Sequence, residues 1–430
     1  MKKVLIITYY WPPGSGPGVQ RFLKFSKYLR EFGWEPVILT VDNGSYPSTD
    51  KTLEQDIPEG LEVYRSQSFE PFRWYNLLKG KKTKDATVGA IGLQGSSFFQ
   101  RLALYVRANF FIPDARVGWN RFAIRKAHLI FKEHQIDAII STGPPHSSHL
   151  IANALKKTHH IPWIADLRDH WTTVFYNAFF PRIESTKKRD KQLEDLVLKN
   201  ADSISVVSNG MLEEFSDRAK DISLIYNGFD DEDFKSLKKN NTEKFTISYV
   251  GNLKPNQNAV VVWECLKELS HKTPKFKSDL KIVLTGNVDP SIVKSIQVKG
   301  LEEQLSLEGF AAHHTAVQRM LDANLLLFVI PVSERNHLII TGKLFEYLAT
   351  GNPILAIGTK GGNASALLTD AKRDDMLDYG DKNLIMKQIE NAYQNWKKET
   401  PADFSHEDLE RFTRKGLTEK LANKLNNMSR

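Results

Sequence analysis

The sequence predicts an α/β protein of two doubly wound parallel-sheet, Rossmann-like domains. Three observations carry that expectation. Short β-branched runs alternate with helical periodicity along most of the chain. The runs are apolar throughout rather than alternating, the pattern of parallel strands covered on both faces. The 430 residues also exceed what one hydrophobic core usually serves.

The first half contains the runs VLIIT (4–8), PVILTV (36–41), LEVYR (61–65), DAIIST (137–142), PWIAD (162–166) and SISVVS (203–208). The first helix is expected directly after the first run, with Val19, Phe22, Leu23, Leu29 and Phe32 on one stripe and Gly33 ending it. Residues 69–122 depart from the rhythm, mixing aromatics, lysines and a Gly/Ser-rich middle. They read either as a helical insertion with a loop or as an acceptor or membrane-surface element. The second series is TISYVG (246–251), KIVLTG (281–286), LSLEGF (305–310), LLLFVI (325–330) and PILAIG (353–358). Between the series lies the polar stretch KSLKKNNTEKF (235–245), which sets domains at 1–238 and 239–400. The tail, 401–430, carries an amphipathic helix expected to cross back to the first domain. Ligands of such sheets lie beyond the carboxyl ends of the strands, so two facing domains would enclose a cleft.

Hydrophobic residues make up 41% of the chain and charged residues 26%, a globular composition that excludes disorder. The longest apolar stretch, ANLLLFVIPV, is about half the ~20 residues a bilayer span needs. The opening MKKVLIITYYWPP begins like a signal peptide, but its apolar part is short and no small-residue cleavage site follows. A lone cysteine, Cys265, excludes an intramolecular disulfide and fits a reducing, cytoplasmic compartment. The net charge of +8 favours anionic partners such as nucleotide phosphates or anionic lipid headgroups. Local basic runs occur at KGKKTK (79–84) and KKRDK (187–191). With no aromatic RNP sequence or zinc-finger spacing, nucleic acid is not an expected partner.

Two segments carry the chemistry. Gly14, Gly16 and Gly18 lie where the first strand ends and a helix begins. Amides and the helix dipole there suit an anion or a closely approaching sugar. The loop lacks both the G-x-G-x-x-G spacing and the Gly-Lys-Ser/Thr of a P-loop. The second segment is TGKLFEYLATGNPILAIG (341–358), in which a helix opens at Gly342–Lys343 and ends at Gly351. Lys343 adds a cation to that helix N-terminus, and Glu346, one turn in, could accept hydrogen bonds from the vicinal hydroxyls of a ribose.

Together with VVSNGM (206–211), IYNGFD (225–230) and YVGNLKPNQN (249–258), these segments resemble the GT-B nucleotide-sugar glycosyltransferases, most of all the retaining glycosyltransferase family 4. The resemblance spans nearly the whole chain. It implies that Gly16 and Gly18 face donor and acceptor and that Gly251 and Lys254 approach the diphosphate. It also implies that the helix of Gly342, Lys343 and Leu344 holds the diphosphate and Glu346 the ribose. The family's other glutamate, which reads the donor sugar, has no counterpart: Leu338 stands eight positions before Glu346, with Glu334 and Asn336 as nearby substitutes. Where the family often has a histidine, the chain reads DLRDH, which offers Asp166, Arg168, Asp169 and His170 at a strand's carboxyl end.

These residues imply a cytoplasmic enzyme, peripheral on the inner face of the membrane, that moves a sugar from a UDP- or GDP-sugar to a saccharide or lipid-linked saccharide acceptor. Front-face retention would need mainly electrostatic stabilisation of the departing diphosphate. Asp169 would orient a sugar hydroxyl, or act as general base if transfer inverts, and Arg168 would hold the acceptor or that carboxylate. His146 is a weaker candidate at the same rim. No metal or other cofactor is expected: the D-x-D of DDED (230–233) enters the linker, and adjacent histidine pairs cannot face one ion. A sugar-nucleotide epimerase or hydrolase on the same fold, or a non-catalytic nucleotide-sugar-binding protein, remain open readings.

Overall fold

A computed structural model describes residues 1–70, 98–174, 177, 179–399 and 406–428. The chain divides into two compact units, Met1–Asn227 with Arg414–Arg430, and Gly228–Thr413.

The first unit holds a seven-stranded parallel sheet. Its strands are β1 (Lys2–Ile7), β2 (Trp34–Val41), β3 (Glu62–Ser66), β4 (Ala138–Gly143), β5 (Trp163–Leu167), β6 (Ser203–Val206) and β7 (Ile222–Leu224), in the order β3-β2-β1-β4-β5-β6-β7. The second holds five parallel strands, β8 (Phe245–Val250), β9 (Leu280–Thr285), β10 (Leu305–Gly309), β11 (Leu325–Val329) and β12 (Ile354–Ile357), in the order β10-β9-β8-β11-β12. All eleven apolar runs are strands. The twelfth, β7, is a three-residue edge strand that is only half-buried, so it carries no apolar run to reveal it.

Continuous apolar runs are explained by the cores. In the first unit Leu5, Ile7, Val37, Leu39 and Ile139 pack with Ala123, Ala127 and Ile151 from helices. In the second Ile247, Ile282, Leu284 and Leu327 pack with Val262, Trp263 and Leu266. The helix Pro17–Tyr28 starts from Gly16, continues as a tight turn over Leu29–Phe32, and ends at Gly33 with φ +85°. The expected stripe thus faces the core.

The last helix, Arg414–Met428, belongs to the first unit. It buries Leu417, Leu421 and Leu425, accepts a 3.0 Å hydrogen bond from Trp34 Nε1 at Asn426, and pairs Lys424 with Asp221 at 2.8 Å. Within 69–122, the KGKKTK run lies outside the described residues, and a helix over Phe98–Phe110 follows. Among the described residues no helix is long and apolar enough to cross a membrane.

Strand order reverses beside β1 in one sheet and beside β8 in the other. Loops leaving neighbouring strands on opposite sides of such a point open a crevice at their carboxyl ends. The loops after β1, β4, β8 and β11 are therefore where each unit can hold a ligand.

Candidate functional site

In the second unit, β8 runs into Gly251, whose φ is +122°. This is a conformation glycine adopts without strain. A Cβ there would also lie 2.6 Å from Lys343 Nζ, so the missing side chain makes room for the lysine. Lys343, half-buried at the start of the helix Gly342–Ala349, holds its ammonium 3.9 Å from the Tyr249 ring centroid. An aromatic face attracts a cation, yet burial still pushes the Lys343 ammonium down to about 8, against the pull of Glu346. Below, Gly286 (φ +113°) is equally constrained, since a Cβ would sit 2.5 Å from the Gly251 carbonyl oxygen. Val250 N–H donates to Tyr347 Oη at 3.0 Å and ties the helix to the strand end.

Gly342 has open space where a side chain would be. The helix N-terminus is thus bare at its first residue, and the amides and dipole there favour an anion. Glu346, half-buried, is three residues beyond Lys343, which places both on one helix face. Lys254 is exposed in the loop after β8, where Gln257 Oε1 accepts from its backbone N–H at 3.3 Å. Leu344 corrects the expectation: its side chain is fully buried, and its amide donates to Thr341 O at 3.1 Å within the first turn. Asn336 is likewise engaged, donating to Tyr379 Oη at 3.2 Å and accepting from Thr359 Oγ1 at 2.8 Å. Glu334 is exposed in the same loop.

In the first unit the three glycines separate into three roles. Gly14 bridges to Thr49, and a Cβ on it would lie 2.7 Å from the Tyr46 ring. Gly16 has φ +115° and empty space beside it, so it remains open to a ligand. Gly18 is different. A Cβ there would lie 1.4 Å from Arg168 Nη1. The close approach that Gly18 permits is made by the protein's own guanidinium, not by a substrate.

Asp166 is also corrected. It is fully buried on β5 and pairs with Arg21 at 2.7 Å, while accepting from Thr142 Oγ1 (2.9 Å) and Ser205 Oγ (2.7 Å). Arg21 in turn donates to the carbonyls of Ile225 and Tyr226. Burial pushes the Asp166 carboxyl up, but Arg21 and these hydrogen bonds outweigh it and hold the group below its usual range. Its oxygens are spoken for, so it braces the strand ends rather than meeting a ligand. Arg21 was missed because a cation on an apolar helix face looks like a surface residue.

Arg168 donates to the Pro144 carbonyl oxygen, and burial pulls its guanidinium down. Asp169 is exposed at the rim, where surrounding protein pushes its carboxyl up against the opposing pull of Arg168 and His170. His146 stacks on Trp171 with centroids 4.4 Å apart. His149 meets Ser141 Oγ at 2.8 Å. Burial drives His146 well below its usual value and His149 down to about 3, so both are neutral near pH 7. The rim thus offers Gly16, a neutral imidazole and one exposed carboxylate. The second unit offers a poised cation and a bare helix N-terminus.

Residues 18–233 match the model of a family described as Glycosyltransferase Family 4. No curated protein matches by sequence. Among solved structures, Anabaena HepE in complex with UDP aligns over 99% of this chain and 100% of that one, at 14% identity and a TM-score of 0.62. S. aureus TarM, in complex with UDP and saccharide ligands, aligns over 99% and 100%, at 13% identity and a TM-score of 0.58. The lipopolysaccharide outer core galactosyltransferase WaaB aligns over 99% of both chains, at 15% identity and a TM-score of 0.54. At these identities the likeness is one of fold, the pair of Rossmann-like domains of the GT-B class.

Proposed function

The chain belongs to glycosyltransferase family 4, and on that premise we propose that it transfers a sugar from a nucleotide-sugar donor, a UDP-sugar by preference, to a saccharide or lipid-linked saccharide acceptor. The observation that carries this reading is the Lys343 ammonium, seated against Gly251 and the Tyr249 ring beside the bare start of its helix. HepE and TarM were solved with UDP, and HepE also with UDP-glucose. Both fit a donor of this kind.

In this reading the diphosphate lies at the N-terminus of the helix Gly342–Ala349, with Lys343 and Lys254 as its cations. Charge grows on the diphosphate as the sugar leaves, so a cation and oriented amides fixed there lower the barrier more than they tighten the ground state. Glu346 accepts from the ribose hydroxyls. Retention follows from attack on the face the diphosphate leaves, with that phosphate taking the acceptor proton. Asp169 orients an acceptor hydroxyl, and Arg168 positions the glycine loop from behind. The scheme calls for no metal or other cofactor.

Titration of UDP into the full chain by calorimetry tests the reading. Binding that is lost in Lys343→Ala supports it, and equal affinity in that variant refutes it. Turnover of UDP-sugar without any saccharide would instead favour an epimerase or hydrolase.

The same reading places the enzyme on the inner face of a membrane, in surface polysaccharide or glycolipid synthesis. Support comes from Leu102, Tyr105, Phe110, Phe179 and Ile183, large apolar side chains left exposed on the first unit. Asn109 draws two of their segments together by bonding to Pro181 O and Ile183 N at 2.8 and 2.9 Å. Lys188 and Arg189 are exposed nearby in sequence. Basic residues each contribute on the order of 1 kcal/mol beside an anionic surface. Sedimentation should be stronger with anionic than neutral liposomes at low salt; equal partitioning removes the electrostatic component.

A further inference from the structure

A recess of about 380 Å³ lies in the first unit beside the glycine loop, lined by Pro13, Asp42, Asn43, Tyr46, Glu54 and Arg65. Its size falls within the usual range for small-molecule sites. The walls come from separate elements. Arg65 stands on β3, Asp42 follows β2, and Glu54 lies on the short turn Lys51–Asp56. Tyr46 is packed against Gly14, whose missing side chain lets the ring approach.

The charged groups are left uncommitted. The side chains of Glu54 and Arg65 make no hydrogen bond or ion pair among the described residues, although both line the same recess. Asp42 Oδ1 accepts only a 3.2 Å bond from the neighbouring Asn43 amide. A planar guanidinium and two carboxylates can bond to adjacent hydroxyls in pairs. Tyr46 and Pro13 supply an apolar wall for the C–H face of a ring. Two carboxylates against one arginine disfavour a phosphate.

We propose that this recess is a subsite for an uncharged, hydroxyl-rich saccharide ring of the acceptor, with Arg65 donating to its hydroxyls and Asp42 and Glu54 accepting from them. The assignment rests on the glycosyltransferase reading for the word acceptor, but the recess lies wholly within the first unit and needs none of the donor residues.

Saturation-transfer NMR on the full chain tests it, with methyl glucoside, methyl N-acetylglucosaminide and glucose phosphate as probes, in the presence and absence of saturating UDP. At least one glycoside should bind with UDP present. Its affinity should fall about tenfold or more in Arg65→Ala and in Glu54→Gln, as expected for lost hydrogen bonds to charged groups. UDP affinity should be unchanged in both variants. Absence of glycoside binding, displacement by UDP, indifference to both substitutions, or tighter binding of glucose phosphate would each overturn the assignment. If glycosides bind and respond to the substitutions but UDP does not bind the unmodified chain, the saccharide site stands. The donor reading then falls separately.

Discussion

Lys343 makes donor affinity depend on pH in a way that can be calculated. With the site empty, burial sets its ammonium at about 8. A diphosphate beside it favours the charged form, which returns it toward the ordinary lysine value of about 10.4. Because the bound state then holds the proton more tightly, binding takes up protons and weakens as pH rises through 8. From these two values, affinity for UDP-glucose should fall roughly tenfold between pH 7 and pH 9, or about 1.4 kcal/mol. Near pH 8 binding should take up about half a proton. Calorimetry in two buffers of different ionisation enthalpy measures both quantities. Lys343→Arg should bind with almost no pH dependence, because a guanidinium stays charged throughout this range. Equal affinity at pH 7 and 9 with no proton uptake would refute the placement of the lysine beside the diphosphate. The sign for folding is opposite. The unfolded chain holds the Lys343 proton more tightly than the empty site does, so this group's contribution to stability rises with pH between about 8 and 10.4.

Glu346→Gln keeps the shape of the side chain but loses charge-assisted bonds to the ribose, worth about 1.5–3 kcal/mol. Donor KM should rise roughly 10- to 100-fold with kcat little changed, and an unchanged KM in steady-state kinetics would remove the ribose role. Arg21→Met leaves the Asp166 carboxylate buried without its partner, and losing one member of a buried pair typically costs about 3–5 kcal/mol. Urea unfolding should report that loss, whereas a change below about 1 kcal/mol would return Asp166 to the list of candidate ligand contacts.

The strands were legible because a parallel strand covered on both faces must be apolar at every position. β7 escaped because an edge strand of three half-buried residues obeys no such rule. The helix at Gly342 was legible for a local reason: glycine, lysine and a helical stripe are adjacent in sequence. That Gly251 exists to house Lys343 was not, since the two are far apart in the chain and meet only across β8 and the following helix. The misplaced residues fail in the same manner. Gly18 and Arg168 lie on different elements, as do Asp166 and Arg21, and spacing within a segment carries no information about either meeting. Leu344 was drawn in with its neighbours, although a leucine on that helix faces the core.

The helix Arg414–Met428 has a consequence for how the protein is made. It packs on the first unit, but the 186 residues of the second unit, 228 through 413, are translated before it. At the usual ~5–20 residues per second, the first unit waits roughly 10–40 s on the ribosome for its final helix. During that interval the surface later covered by Leu417, Leu421 and Leu425 has no helix over it. The unit that begins first is therefore the one that is finished last.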